Sequence, residues 1–136
     1  MRFLLDTNVI SETGRDKPAP EAARWMTETP LSEQAISILT VGELEFGVRR
    51  LDLGDRKAQL RRWLDRLVGD HFQGRVLPID DVTVGVWADI RVAAGRTLPT
   101  IDCLIAATAL ARDLTLVTRN VRDFQIPGLR VLDPWR

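Results

Sequence analysis

Short apolar runs that each stop abruptly at a polar residue recur along this chain, separated by segments whose apolar residues are spaced as in a helix. The run from Arg2 to Leu5 ends at Asp6, Ala35 to Leu39 at Thr40, Val76 to Ile79 at Asp80, and Leu114 to Thr118 at Arg119. Arg130 to Leu132 makes a possible fifth. Runs of four or five residues suit buried strands, and the intervening stretches are long enough for crossover helices between parallel neighbours. Alternation of this kind predicts an α/β fold, a three-layer α/β/α sandwich around a central, mainly parallel sheet. With 136 residues the chain is expected to form a single domain over 1–136, with one substantial core.

The helical segments carry their own punctuation. Thr7 to Glu12 reads as a short helix stopped by Gly14, and Pro20 is placed to open a helix that Pro30 ends. Val41, Leu44, Val48 and Leu51 recur at helical spacing, so a helix capped by Thr40 is expected to run to Leu51. Asp55 to Val68, Asp80 to Ala94 (closed by Gly95) and Ile101 to Asp113 complete the set.

In open parallel sheets ligands bind beyond the carboxyl ends of the strands. Asp6, Glu43, Asp102, and Asn120 with Asp123 all fall where a strand is expected to hand over to a helix or turn. Each has a structural reading of its own. Thr40-Val41-Gly42-Glu43 matches the capping box, and Asp102 after Thr100 suits a first helical turn. Asn120 and Asp123 suit a turn, and Asp6 could cap the helix after it. Four independent caps explain the coincidence less well than one crevice of carboxylates, which repel one another unless a cation lies among them. Oxygen ligands select hard ions such as Mg²⁺ or Mn²⁺, and such a site supports attack of a metal-activated water on a phosphodiester.

Composition narrows the chemistry further. One cysteine, Cys103, and one histidine, His71, leave no disulfide framework, no cysteine-based zinc site and no histidine-dependent triad. No apolar run approaches a membrane span, so a cytoplasmic protein without membrane contact is expected. Formal net charge is zero, although seven arginines and lysines lie between Arg49 and Arg66. That stretch could track phosphates or form a solvated face laced with ion pairs. Trp25, Trp63 and Trp87 read as anchors of a core or an interface rather than base-stacking platforms.

Leu4-Leu5-Asp6-Thr7-Asn8, Thr40-Val41-Gly42-Glu43-Leu44, Asp102-Cys103-Leu104-Ile105-Ala106 and Leu116-Val117-Thr118-Arg119-Asn120-Val121-Arg122-Asp123-Phe124 together resemble PIN-domain proteins. The nearest likeness is to the VapC and FitB toxins of bacterial type II toxin–antitoxin pairs, and Leu132-Asp133-Pro134-Trp135 resembles the FitB branch. The resemblance implies a Mg²⁺- or Mn²⁺-dependent endoribonuclease that cleaves RNA. It implies a homodimer inhibited by a small antitoxin, as a dimer of heterodimers that reaches operator DNA only through the antitoxin. By the same likeness Asp6, Glu43 and Asp102 are the core metal-binding acids and Asp123 completes the cluster. Asn8, Thr118 and Asn120 support it.

Two other functions compete. A haloacid-dehalogenase-type phosphatase also opens with an aspartate after its first strand, but it wants an acid where this chain has Asn8, and a downstream lysine; only Lys17 and Lys57 exist. A non-catalytic PIN scaffold that binds an antitoxin and, through it, operator DNA is the second.

Overall fold

Phe3 and Leu5 point to one side of the sheet and Leu4 to the other, and that alternation organises the molecule. The computed structural model describes all 136 residues. Five strands, β1 (Phe3–Leu5), β2 (Gln34–Ser37), β3 (Val76–Leu77), β4 (Thr115–Val117) and β5 (Val131–Leu132), alternate with six helices. The helices are α1 (Thr7–Thr13), α2 (Pro20–Glu28), α3 (Ile38–Arg49), α4 (Asp55–Arg66), α5 (Asp81–Ala94) and α6 (Thr100–Ala111). All strand pairings are parallel, in the order β3-β2-β1-β4-β5. The strand order therefore reverses between β1 and β4, which places the switch point of the sheet at their carboxyl ends.

Two apolar clusters fill the space above and below the sheet. Phe3, Leu5, Ile36 and Val117 pack with Val9 and Ile10 of α1, Leu44 and Val48 of α3, and Leu64 of α4. Leu4, Ala35 and Leu116 pack with Ile90 of α5 and with Cys103, Ile105, Ala106, Ala107 and Ala109 of α6. The result is the three-layer sandwich expected from the alternation. Ala106, Ala107 and Ala109 are fully buried, so α6 lies close on its neighbours at a face too shallow for larger side chains.

Several boundaries differ from the sequence reading. β2 ends at Ser37, not Leu39, because the Ser37 hydroxyl accepts the Leu39 N–H at 3.0 Å and turns the chain into α3 two residues early. Thr40 consequently lies inside α3, fully buried, with a hydroxyl that has no hydrogen-bond partner. It caps nothing, and Glu43 is not part of a capping box. After α4 the chain continues through a π-helical turn, Leu67–His71, closed by the Phe72 N–H on the Leu67 carbonyl at 2.9 Å. Nothing in the helical spacing announces that turn. Asp80 caps α5 through the Thr83 N–H at 2.9 Å, and Gly95 closes it in the left-handed conformation (φ 62°).

The basic stretch is used partly as stitching. Arg61 of α4 holds Glu45 of α3 through two bonds of 2.8 Å and also reaches Asp65, while Arg49 bonds Glu45 at 3.1 Å. Lys57 donates to the carbonyls of Arg49 and Leu51 and so closes the end of α3. No helix is long and apolar enough to cross a membrane.

Candidate active site

Asp6 sits at the switch point. Its N–H donates to the Val117 carbonyl at 2.9 Å, so the β1–β4 ladder extends to the carboxylate itself. One carboxylate oxygen, Oδ1, accepts the Thr7 N–H at 2.9 Å, which makes Asp6 the cap of α1. The other, Oδ2, accepts the Thr118 hydroxyl at 2.8 Å, just beyond β4. Asp6 is buried, and burial pushes its carboxyl above the usual range; the bonds from Thr118 and Thr7 pull against that, while Asp123 adds to it.

A small network fixes this junction. Asn8 donates its amide to the Thr118 hydroxyl oxygen at 3.2 Å and accepts the Arg119 N–H at 3.3 Å. The Asn120 N–H also reaches the Thr118 oxygen, at 3.1 Å. Asn8 and Thr118 thus tie the start of α1 to the end of β4. Asn120 contributes its backbone, and its carbonyl accepts the Asp123 N–H at 3.0 Å within a short 3₁₀ turn, Val121–Phe124.

Asp102 and Glu43 arrive from helices rather than from strand ends. α6 precedes β4 and runs antiparallel to it, so its first turn, with Asp102, lies at the carboxyl edge of the sheet. This corrects the expectation of a strand hand-over at Asp102: the residue follows the loop after α5. Glu43 lies in the second turn of α3, where it accepts the Thr7 hydroxyl at 2.9 Å. Burial raises the Asp102 carboxyl above the usual range, and the negative charges of Asp6, Asp123 and Glu43 raise it further. The four acids therefore share one electrostatic neighbourhood. The amino ends of α1, α3 and α6 all face it, and their dipoles favour anionic groups there.

As the side chains stand, no three of them close on a common point tightly enough to cage an ion. The donor set nonetheless suits a hard divalent cation. All the donors are oxygens, and no lysine or arginine pairs with Asp6, Glu43, Asp102 or Asp123. Mutual repulsion among uncompensated carboxylates opposes their closer approach.

Residues 3–127 match the family model described as "PIN domain". The toxin FitB of Neisseria gonorrhoeae is 37% identical over 136 residues, which cover 98% of each chain. The VapC ribonuclease Y4jK of Sinorhizobium fredii is 33% identical over 136 residues, covering 98% of this chain and 97% of that protein. Among solved structures, FitAB bound to an IR36 DNA fragment contains a chain that superposes with a TM-score of 0.90 at 32% identity, covering 98% of this chain and 96% of the other. The chain belongs to the PIN-domain family, and its relatives there include the VapC and FitB toxins. The catalytic-aspartate phosphatase reading finds no support at the site: Asn8 is committed to Thr118 and Arg119, Lys57 to the end of α3, and Lys17 lies on the exposed α1–α2 loop.

Two residues near the site escaped the sequence reading. Thr7 looks in the sequence like an ordinary helix start, yet its hydroxyl orients Glu43. Glu12 is buried and accepts the Ala19 N–H at 2.7 Å, which pins the α1–α2 loop; that bond chiefly holds its carboxyl below the usual range. The signal for Glu12 was available, since it stands three residues after Val9 on the core-facing side of α1.

Proposed function

We propose that this chain is a divalent-metal-dependent endoribonuclease, using Mg²⁺ or Mn²⁺, and the toxin of a type II toxin–antitoxin pair. The observation that carries the reading is that Asp6, Glu43 and Asp123 all act electrostatically on Asp102, with no basic partner for any of the four. These four carboxylates would hold the ion, with Asn8, Thr118 and Asn120 keeping Asp6 and the Asp123 turn in place. A divalent ion bound there supplies Lewis-acid stabilisation of a phosphodiester and lowers the pKa of a bound water. The protein's part is to place Asp6 and Asp102 where burial and neighbouring acids raise both carboxyls above the usual range. Thr118 and the Thr7 N–H fix the Asp6 carboxylate plane, and Thr7 fixes Glu43.

The relatives support the biological role. FitB is named a toxin, Y4jK a VapC ribonuclease, and the matched FitAB structure is a DNA-bound complex. By that likeness the chain, as a single domain over residues 1–136, works in the cytoplasm as a homodimer. It is held in check by a small antitoxin in a dimer of heterodimers, through which it reaches operator DNA.

The test is cleavage of RNA by purified protein with Mg²⁺ or Mn²⁺ and with chelator. Cleavage should require the metal and fall roughly a hundredfold or more in Asp6→Asn and Asp102→Asn. Undiminished cleavage by both variants would place the chemistry elsewhere. Absence of any cleavage by the unmodified protein, with metal binding intact, would favour a scaffold that only binds the antitoxin.

A further inference from the structure

Beside the acidic centre lies a polar recess of about 580 Å³ walled by Arg119, Asn120, Arg122, Asp123, Asp133 and Arg136. It joins the centre through Asp123, which lines the recess and acts electrostatically on Asp6 and Asp102. Arg119 is held in place, while Arg122 and Arg136 are exposed side chains. The Arg119 N–H is tied to Asn8, and its guanidinium lies over the Trp135 ring, 5.1 Å from the centroid. Asp133 accepts the Trp135 N–H at 2.9 Å and pairs with Arg136 at 3.6 Å, so its charge is spent within the C-terminal turn. Arg119 and Arg122 form no ion pair, although carboxylates crowd the adjoining site.

An edge that sets the unpaired guanidiniums of Arg119 and Arg122, with the solvent-exposed Arg136 beside them, next to a carboxylate cluster is laid out for a polyanion with repeated charges. The acidic side suits a metal-bridged phosphate, and the planar forks of arginine suit the oxygens of the next one. We propose that the Arg119–Arg122–Arg136 recess binds a phosphate of single-stranded RNA flanking the one at the acidic centre, and so sets the direction in which the strand crosses the site. The identity of the strand rests on the ribonuclease reading; the anion-binding recess does not.

The experiment measures binding of a short, fluorescently labelled single-stranded RNA to the metal-free protein in chelator, as a function of salt. For the double variant Arg122→Gln/Arg136→Gln, affinity at low salt should fall roughly tenfold. The slope of log affinity against log salt should become shallower by about 0.7, the contribution of one phosphate contact to a single strand. Arg130→Gln is the control: Arg130 pairs with Asp113 and sits before β5, at the opposite edge of the sheet, and should change neither quantity. Both are surface changes, and unchanged melting temperatures will verify the fold. Unaltered RNA affinity in the double variant overturns the proposal, as does an equal loss in Arg130→Gln. Arginine-dependent capture of a polyglutamate peptide in place of RNA also overturns it. If binding depends on these arginines but the unmodified protein cleaves no RNA with metal, the recess stands and the ribonuclease reading falls. If cleavage is robust but binding ignores the arginines, the reverse holds.

Discussion

The Thr118 hydroxyl donates to Oδ2 of Asp6 at 2.8 Å, and both groups are buried. This bond joins the carboxyl ends of the two central strands where the strand order reverses. It also opposes the burial that lifts the Asp6 carboxyl. Thr118→Val should therefore raise the Asp6 pKa further and cost about 1–2 kcal/mol of stability. Mn²⁺ binding, followed by calorimetry across pH, should shift to higher pH in the variant. An unshifted profile would show that Thr118 does not govern the ionisation of Asp6.

Asp102→Asn should stabilise the metal-free protein while abolishing its cleavage. Asp102 accepts no hydrogen bond and is raised by burial and three neighbouring acids, so its ionised form costs stability above its folded pKa. That cost fades as pH falls through the folded value and is gone below its ordinary value of 3.8, where both folded and unfolded forms are protonated. The variant should gain about 0.5–1 kcal/mol at neutral pH and nothing near pH 3. Thermal melts in chelator at the two pH values measure this. A loss of stability at neutral pH would contradict the acidic crowding.

Ser37 and Thr40 make a matched pair for the start of α3. Ser37→Ala removes a working cap and should cost about 1 kcal/mol. Thr40→Val removes a buried hydroxyl with no partner and should be neutral or stabilising. Denaturant unfolding of the two variants tests the assignment, and the opposite order would restore Thr40 as the cap.

Glu45 lies between Arg49 and Arg61, and the Arg61 bonds chiefly hold its carboxyl down at about 2. A depressed acid contributes stability above its unfolded value of 4.5, lost as pH falls through about 2. The group is partly solvated, so Arg61→Ala should cost only about 1 kcal/mol at neutral pH. The difference from the unmodified protein should shrink between pH 4.5 and 2. Acid titration of stability in both proteins tests that window; a difference constant down to pH 2 would assign the loss to packing.

The layer order and the location of the crevice were legible because apolar runs and helical spacing report burial directly, and Asp6 stood out as a carboxylate ending a buried strand. Glu43 and Asp102 were legible as positions but not as geometry. Thr40-x-x-Glu43 imitates a capping box, and Ser37 is hidden within Ile36-Ser37-Ile38-Leu39, a run that looks like uninterrupted strand. Local pattern cannot decide which of two hydroxyls caps a helix when both lie in apolar surroundings, because the choice depends on where the neighbouring strand stops pairing. Asn8 and Thr118 entered through family likeness, since a bond spanning 110 residues leaves no local trace. The arginine recess was invisible for a similar reason: Arg136 meets Arg122 only once β5 has delivered the C-terminal turn.

Asp6 and the hydroxyl that orients it are 112 residues apart. A nascent chain therefore carries its first carboxylate early but cannot assemble the centre until β4 has emerged and docked beside β1. The orientation of this carboxylate is thus among the last features of the fold that synthesis can complete.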